Sequence, residues 1–136
     1  MKYRTPKETN KYYLPKQSYL TCIHYALQYK DWKAMLKADR DTRGAIRYDK
    51  DRVQTSGDYD STSATAIKMI ELERKVDMID SIIRETVASE VMQDYLRKSV
   101  CYGFTFYQLQ DKGIPCGKNT FSRLRQRFYY NLNEKI

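Results

Sequence analysis

The stretch that most constrains this chain lies between residues 67 and 83. Met69, Leu72, Val76, Ile79 and Ile83 step by three, four, three and four, which keeps them on one face of a helix. A strand cannot hold them on one side, because its side chains alternate. The steps form an a/d stripe over roughly two heptads. Ile67, Ile70, Met78 and Ile82 widen that stripe on one side. A narrow seam suits a self-pairing coiled coil, whereas a wide stripe suits a helix packed within its own fold. The spacing predicts a long helix over 62–87, started by Asp60, Ser61 or Ser63 as cap. Packing within the fold is the first expectation, and a homodimer through the 62–87 helix is the second.

The same rhythm occurs earlier. Tyr19, Leu20, Ile23 and Leu27, then Trp32, Met35 and Leu36, recur at helical spacing, with Pro15 suited to a first helical position. One helix is expected from 15 to 29 and a short one from 30 to 38. Residues 1–12 read as a basic, flexible arm. Between 39 and 61 charges alternate in sign, Gly44 and Gly57 interrupt, and little is apolar. This segment is expected to be a linker or loop. Only 5 Gly and 3 Pro occur in 136 residues, too few for the many tight turns of a sheet-rich protein. The expected class is all-α. Its expected organisation is a basic arm with a helical hairpin over 1–38, a charged linker over 39–61, and a long helix with a C-terminal helix-turn-helix over 62–136.

Several chemistries find no support in the residues. No apolar run reaches the roughly 18 residues of a membrane span. The polar start, Met1-Lys2-Tyr3-Arg4-Thr5, has no apolar signal region behind it, so a cytoplasmic location is expected. Cys22, Cys101 and Cys116 form no C-x-x-C pair, and His24 is the single histidine. A zinc site needs about four ligands, usually in close pairs. Reduced, buried thiols are expected instead. Asp49-x-Asp51 and Asp58-x-Asp60 lack the spacing of a calcium loop and read as solvated acids. Gly113-Ile-Pro-Cys-Gly117-Lys118-Asn119 has three residues between its glycines and Asn after Lys. A phosphate-binding loop needs four, with Ser or Thr after Lys. No cofactor and no enzymatic activity are expected, since no acid/base pair or nucleophile has partners to place beside it.

Charge is distributed unevenly. Residues 1–37 carry 8 Lys/Arg against 2 Asp/Glu, 38–96 carry 9 against 13, and 97–136 carry 8 against 2. Basic ends therefore flank an acidic middle. Basic surfaces concentrate polyanions and speed their encounter.

The C-terminal 49 residues are the most informative. Val91, Met92, Tyr95, Leu96 and Val100 mark a helix that stops at Gly103. A short helix fits 105–112, with Thr105 as cap, Phe106 and Leu109 inward, and Gly113 ending it. After the turn Ile114-Pro115-Cys116-Gly117, a last helix runs from 118 to 133 with Phe121, Leu124, Phe128 and Leu132 on one face. At 100° per residue the opposite face presents Asn119, Ser122, Arg123, Gln126, Arg127 and Tyr130. Lys118 starts that helix, and Arg125 lies nearer the core edge. Arg forks onto guanine, Asn and Gln pair with adenine, and Ser reaches base edges or phosphate. These eight residues are the candidate nucleic-acid-binding set.

The run YLRKSVCYGFTFYQLQDKGIPCGKNTFSRLRQRFYYNL (95–132) resembles region 4 of bacterial sigma factors. Gly103, Phe106, Leu109, Gly113, Ile114, Phe121, Leu124 and Leu132 occupy the places of that pattern. Gln108 and Gln110 stand where sigma-like units often carry acidic residues. The whole chain, notably KYYLPKQSY (11–19), is similar to small proteins from phages and integrated elements of Gram-positive bacteria, including ArpU- and RinA-like late-gene regulators. The resemblance implies a helical bundle with a sigma region 4-like helix-turn-helix. It also implies a DNA-binding regulator or accessory protein whose last helix enters the major groove, with RNA polymerase as a possible protein partner. The alternative is a protein-interaction module directed at host machinery such as RNA polymerase or a CRISPR-type nuclease. The 13 tyrosines suit such an interface.

Overall fold

Six helices occur among the described residues: α1 (Lys16–Leu27), α2 (Tyr29–Ile46), α3 (Ser56–Thr86), α4 (Glu90–Tyr102), α5 (Phe106–Asp111) and α6 (Lys118–Lys135). The computed structural model describes residues 7–46 and 56–136, and no strand occurs among them. The all-α class read from the sequence holds. No helix among the described residues is long and apolar enough to cross a membrane.

The chain divides into two units, Met1–Tyr29 with Ile79–Ile136, and Lys30–Met78. In the first, α1 packs on α6 and α4, and α4 packs on α5 and α6. Its core contains Leu14, Tyr19, Cys22, Ile23 and Ala26 from the N-terminal side. Ile79, Ile82, Ile83, Leu96, Val100, Cys101, Phe121, Phe128, Tyr129 and Leu132 complete it. Arg97 and Asp80 tie α4 to the end of α3 at 3.0 Å, and the Tyr29 hydroxyl donates to the same carboxylate at 3.0 Å. Burial is the largest single influence on Arg97 and opposes its charge, but the Asp80 carboxylate, together with Tyr29 and Asp94, outweighs it and raises the Arg97 pKa. In the second unit Trp32 and Leu36 of α2, and Leu72 and Val76 of α3, are buried. Lys75 Nζ lies 5.3 Å from the Trp32 ring centre, a cation–π contact between the two helices.

The stripe on α3 is buried as its spacing requires, with Met69 half-buried at the outer end. Its widening is confined to the C-terminal half. Ile82 is buried and Met78 half-buried, whereas Ile67 and Ile70 stay 58% and 55% exposed.

Two expectations are corrected. The 39–61 segment is not a loop throughout, because α2 runs on to Ile46 and α3 begins at Ser56. A segment without an apolar stripe still forms a helix when its residues have adequate helical propensity. One interior glycine, Gly44, costs only about 1 kcal/mol. Asp49-x-Asp51 lies outside the described residues, and Asp58-x-Asp60 falls within α3. The second correction concerns the arm. Residues 7–13 form two successive turns, closed by Asn10 N–H to the Lys7 carbonyl at 2.8 Å and Tyr13 N–H to the Asn10 carbonyl at 3.1 Å. Residues 1–6 lie outside the described residues.

Candidate functional site

The candidate residues sit on α6, and a series of local devices sets where α6 begins. Ser89 caps α4 by accepting from the Met92 N–H, and Gly103 ends α4 in the left-handed region at φ 75°, where glycine carries no Cβ penalty. Thr105 then starts α5 with a reciprocal capping box. Its hydroxyl accepts from the Gln108 N–H at 3.3 Å, and the Gln108 side chain accepts from the Thr105 N–H at 2.9 Å. Gln108, which departs from the sigma-like pattern, has this structural task. Gly113, at φ 92°, closes α5, with the Ile114 N–H reaching back to the Leu109 carbonyl at 3.1 Å. The Tyr95 hydroxyl donates to the Lys112 carbonyl at 3.0 Å and fastens the turn to α4.

A local core holds the three helices together. Met92 of α4, Leu109 of α5 and Phe121 of α6 are buried in contact, with Tyr95, Phe106, Ile114 and Leu124 packed around them. The Phe106 and Phe121 rings lie 6.0 Å apart. The start of α6 is thereby fixed relative to α5, and Gly117, its N-cap, brings no side-chain cap. No acidic residue occupies its first turn.

The eight candidate residues divide into three groups. Lys118, Asn119, Arg123 and Arg127 are exposed, with Ser122 half-buried beside them. Lys118 Nζ also lies 3.3 Å from the hydroxyl of Tyr107 on α5 and 5.2 Å from its ring centre. Arg125 turns the other way. It is half-buried, its guanidinium carbon lies 6.0 Å from the Tyr129 ring centre, and its Nε is buried without a hydrogen bond. The structure therefore places Arg125 within the packing of α6 rather than on the outer face.

Gln126 and Tyr130 form the third group, and the N-terminal segment meets both. Asn10 Nδ2 donates to Gln126 Oε1 at 2.9 Å, and the Tyr12 ring sits edge-on to Tyr130 at 5.5 Å. Asn10 Oδ1 also accepts from the Tyr12 N–H at 2.9 Å. Each of the four polar atoms of Asn10 is engaged, two by the turns and two by its side chain. Lys7 and Lys11 flank this contact and are exposed, as is Glu8.

Sequence reasoning missed Asn10, Tyr12 and Tyr107 as neighbours of the candidate face, and Tyr129 as core. The Tyr129 signal was present, since it follows Phe128 and sits three residues before Leu132, but a single apolar face was assumed. Tyr129 is fully buried and lies edge-on to Tyr19 of α1 at 5.2 Å. Burial raises its hydroxyl pKa to about 12 against the opposing pull of Arg125, and burial raises that of Tyr19 as well. The Cys22 thiol is pushed up to about 11 by burial, which makes it unreactive near neutrality. Cys22 is buried on α1 while His24 is exposed on it, so the two do not face one another.

No family model matches the chain, and neither a curated protein nor a solved structure shows significant similarity to it.

Proposed function

We propose that this protein binds double-stranded DNA, with α5, the turn and α6 acting as a helix-turn-helix and the start of α6 entering the major groove. The observation that carries this reading is the composition of one exposed face. Asn119, Arg123 and Arg127 stand together on the solvent side of α6, Lys118 begins the helix, and no acidic side chain lies in its first turn. Asn and Arg at the first turns of a second helix are suited to base edges, and the surrounding cations to phosphate. The paucity of acid supports it further, with Asp111 and Glu134 the only two across 97–136. The order of elements, a supporting α4, a short α5 and a longer α6, matches the sigma region 4-like resemblance in kind. A regulator or accessory protein of a phage or mobile element is the role that resemblance suggests.

The test is fluorescence anisotropy with labelled duplex DNA across a salt series. Binding is expected to weaken steeply with salt. Arg123→Ala with Arg127→Ala is expected to lower affinity at least tenfold without shifting the unfolding transition, since both side chains are exposed. Unchanged affinity in the folded double variant would overturn the reading. Absence of any binding at low salt would turn attention to an acidic protein surface as the partner of this face.

A further inference from the structure

The outer face of α6 is shared between two tasks. Its N-terminal half is open, with Lys118, Asn119 and Arg123 exposed. Its C-terminal half carries the 7–13 segment through Asn10 on Gln126 and Tyr12 against Tyr130. A glutamine whose carbonyl oxygen accepts from Asn10 has one lone pair taken and its amide orientation held by that contact, so it is not free to turn its donor–acceptor pair onto adenine. The contact is specific rather than a chance touch, because Asn10 is held by both turns and by the Tyr12 N–H at the same time. Two turns and one ring contact fix this stretch, and two exposed lysines, Lys7 and Lys11, flank Asn10 in it.

We propose that Gln126 and Tyr130 are positioning residues that seat the 7–13 segment on α6, so that Lys7 and Lys11 contact the phosphate backbone of the same duplex that α6 enters. This inference rests on the DNA-binding reading above. It separates the face by role. Asn119, Ser122 and Arg123 read bases, Arg127 and the segment lysines hold phosphate, and Gln126 and Tyr130 hold the segment. Lysines on an anchored segment lose less conformational freedom on binding than lysines on a loose one, so each contributes more of its phosphate contact to affinity.

The experiment uses the full chain and two labelled duplexes of unrelated sequence, each titrated over a potassium chloride series. Asn10→Ala, Gln126→Ala, the Asn10→Ala/Gln126→Ala pair and Lys7→Ala/Lys11→Ala are compared with the parent chain. Asn10→Ala and Gln126→Ala are each expected to weaken binding by roughly 3- to 10-fold, equally on both duplexes, as for loss of one hydrogen bond. The pair is expected to be no worse than Asn10→Ala alone, because the Asn10–Gln126 contact is already lost there together with the Tyr12 N–H contact. Lys7→Ala/Lys11→Ala leaves the seat intact and is expected to lower the slope of log affinity against log salt by roughly 1–2, at about 0.9 per phosphate contact. Tryptic cleavage after Lys11 reports the seat without DNA and is expected to quicken in Asn10→Ala and Gln126→Ala.

A Gln126→Ala variant that changes the ratio of affinities for the two duplexes, while Asn10→Ala does not, would make Gln126 a base reader and overturn the inference. So would an unchanged salt slope in Lys7→Ala/Lys11→Ala, or unchanged cleavage after Lys11. In each case salt-dependent binding by the parent chain leaves the DNA-binding reading standing. A parent chain that binds neither duplex overturns that reading, and the inference with it.

Discussion

Tyr129 shows how one side chain links burial to solution behaviour. It is among the largest fully buried side chains, and burial raises its pKa to about 12. Cys22, also fully buried, is raised to about 11. Both groups are neutral when protonated, and both lose their proton more readily in the unfolded chain, near 9 for the thiol and 10 for the phenol. The unfolded state therefore sheds protons first as pH rises. Their contribution to stability is complete below about pH 9 and declines as pH passes through 9–11 for Cys22 and 10–12 for Tyr129. Urea midpoints followed by circular dichroism should be level from pH 7 to 9 and fall above that. Cys22→Ala should lessen the earlier part of the fall, to which the buried Cys101 thiol, also raised by burial, contributes as well, and a midpoint independent of pH up to 11 would contradict the burial of these groups. Truncating the ring itself, Tyr129→Ala, should cost about 3–5 kcal/mol, as for other buried aromatics.

At the scale of the element, the helix boundaries near the C-terminus were legible because their signals are local. Gly103 and Gly113 adopt positive φ as helix-ending glycines do, and Thr105 caps α5 as its sequence position suggests. Thr105→Ala should lower stability by about 1 kcal/mol through loss of the cap. Gly103→Ala should cost about 1–2 kcal/mol from backbone strain alone, since the nearest atom to the added Cβ, Leu27 Cδ2, lies at an ordinary 3.8 Å. Gly103→Asn should recover part of that loss, because asparagine tolerates the left-handed region better. Denaturant midpoints at constant m-value measure all three, and an Asn variant less stable than the Ala variant would speak against the strain argument. What was not legible depends on distant partners. The second buried side of α6, which takes in Tyr129 and draws Arg125 inward, exists because α1 lies there. The Asn10–Gln126 contact joins residues 116 apart in sequence, and no local pattern announces it. The continuation of α2 to Ile46 was hidden for a different reason, since a helix without an apolar stripe leaves no period to read.

For the whole molecule, the division of the chain matters more than its length. The candidate face belongs entirely to the unit formed by Met1–Tyr29 and Ile79–Ile136, and Lys30–Met78 forms the other. The excess positive charge falls in the same unit, which carries 14 Lys/Arg against 7 Asp/Glu, whereas Lys30–Met78 carries 11 against 10. Replacing residues 30–78 with a short Gly/Ser linker from Tyr29 to Ile79 should leave a chain that unfolds cooperatively. The Tyr29 hydroxyl lies 3.0 Å from Asp80, so a short linker can join the two ends. Calorimetry tests the folding, and anisotropy tests whether DNA affinity stays within a few-fold of the parent chain. A shortened chain that folds but no longer binds would place essential contacts in the removed residues.

The packing of α1 against α6 also has a consequence for how the chain is made. Leu27 and Lys118 are separated by some 90 residues, which a ribosome adds at ~5–20 residues per second, so α1 precedes its partner by roughly 5–20 s. Through that interval the apolar side of α1, with Tyr19, Cys22 and Ile23, cannot be fully covered. The packing of α1 on α6 therefore closes only after all the intervening helices have been made.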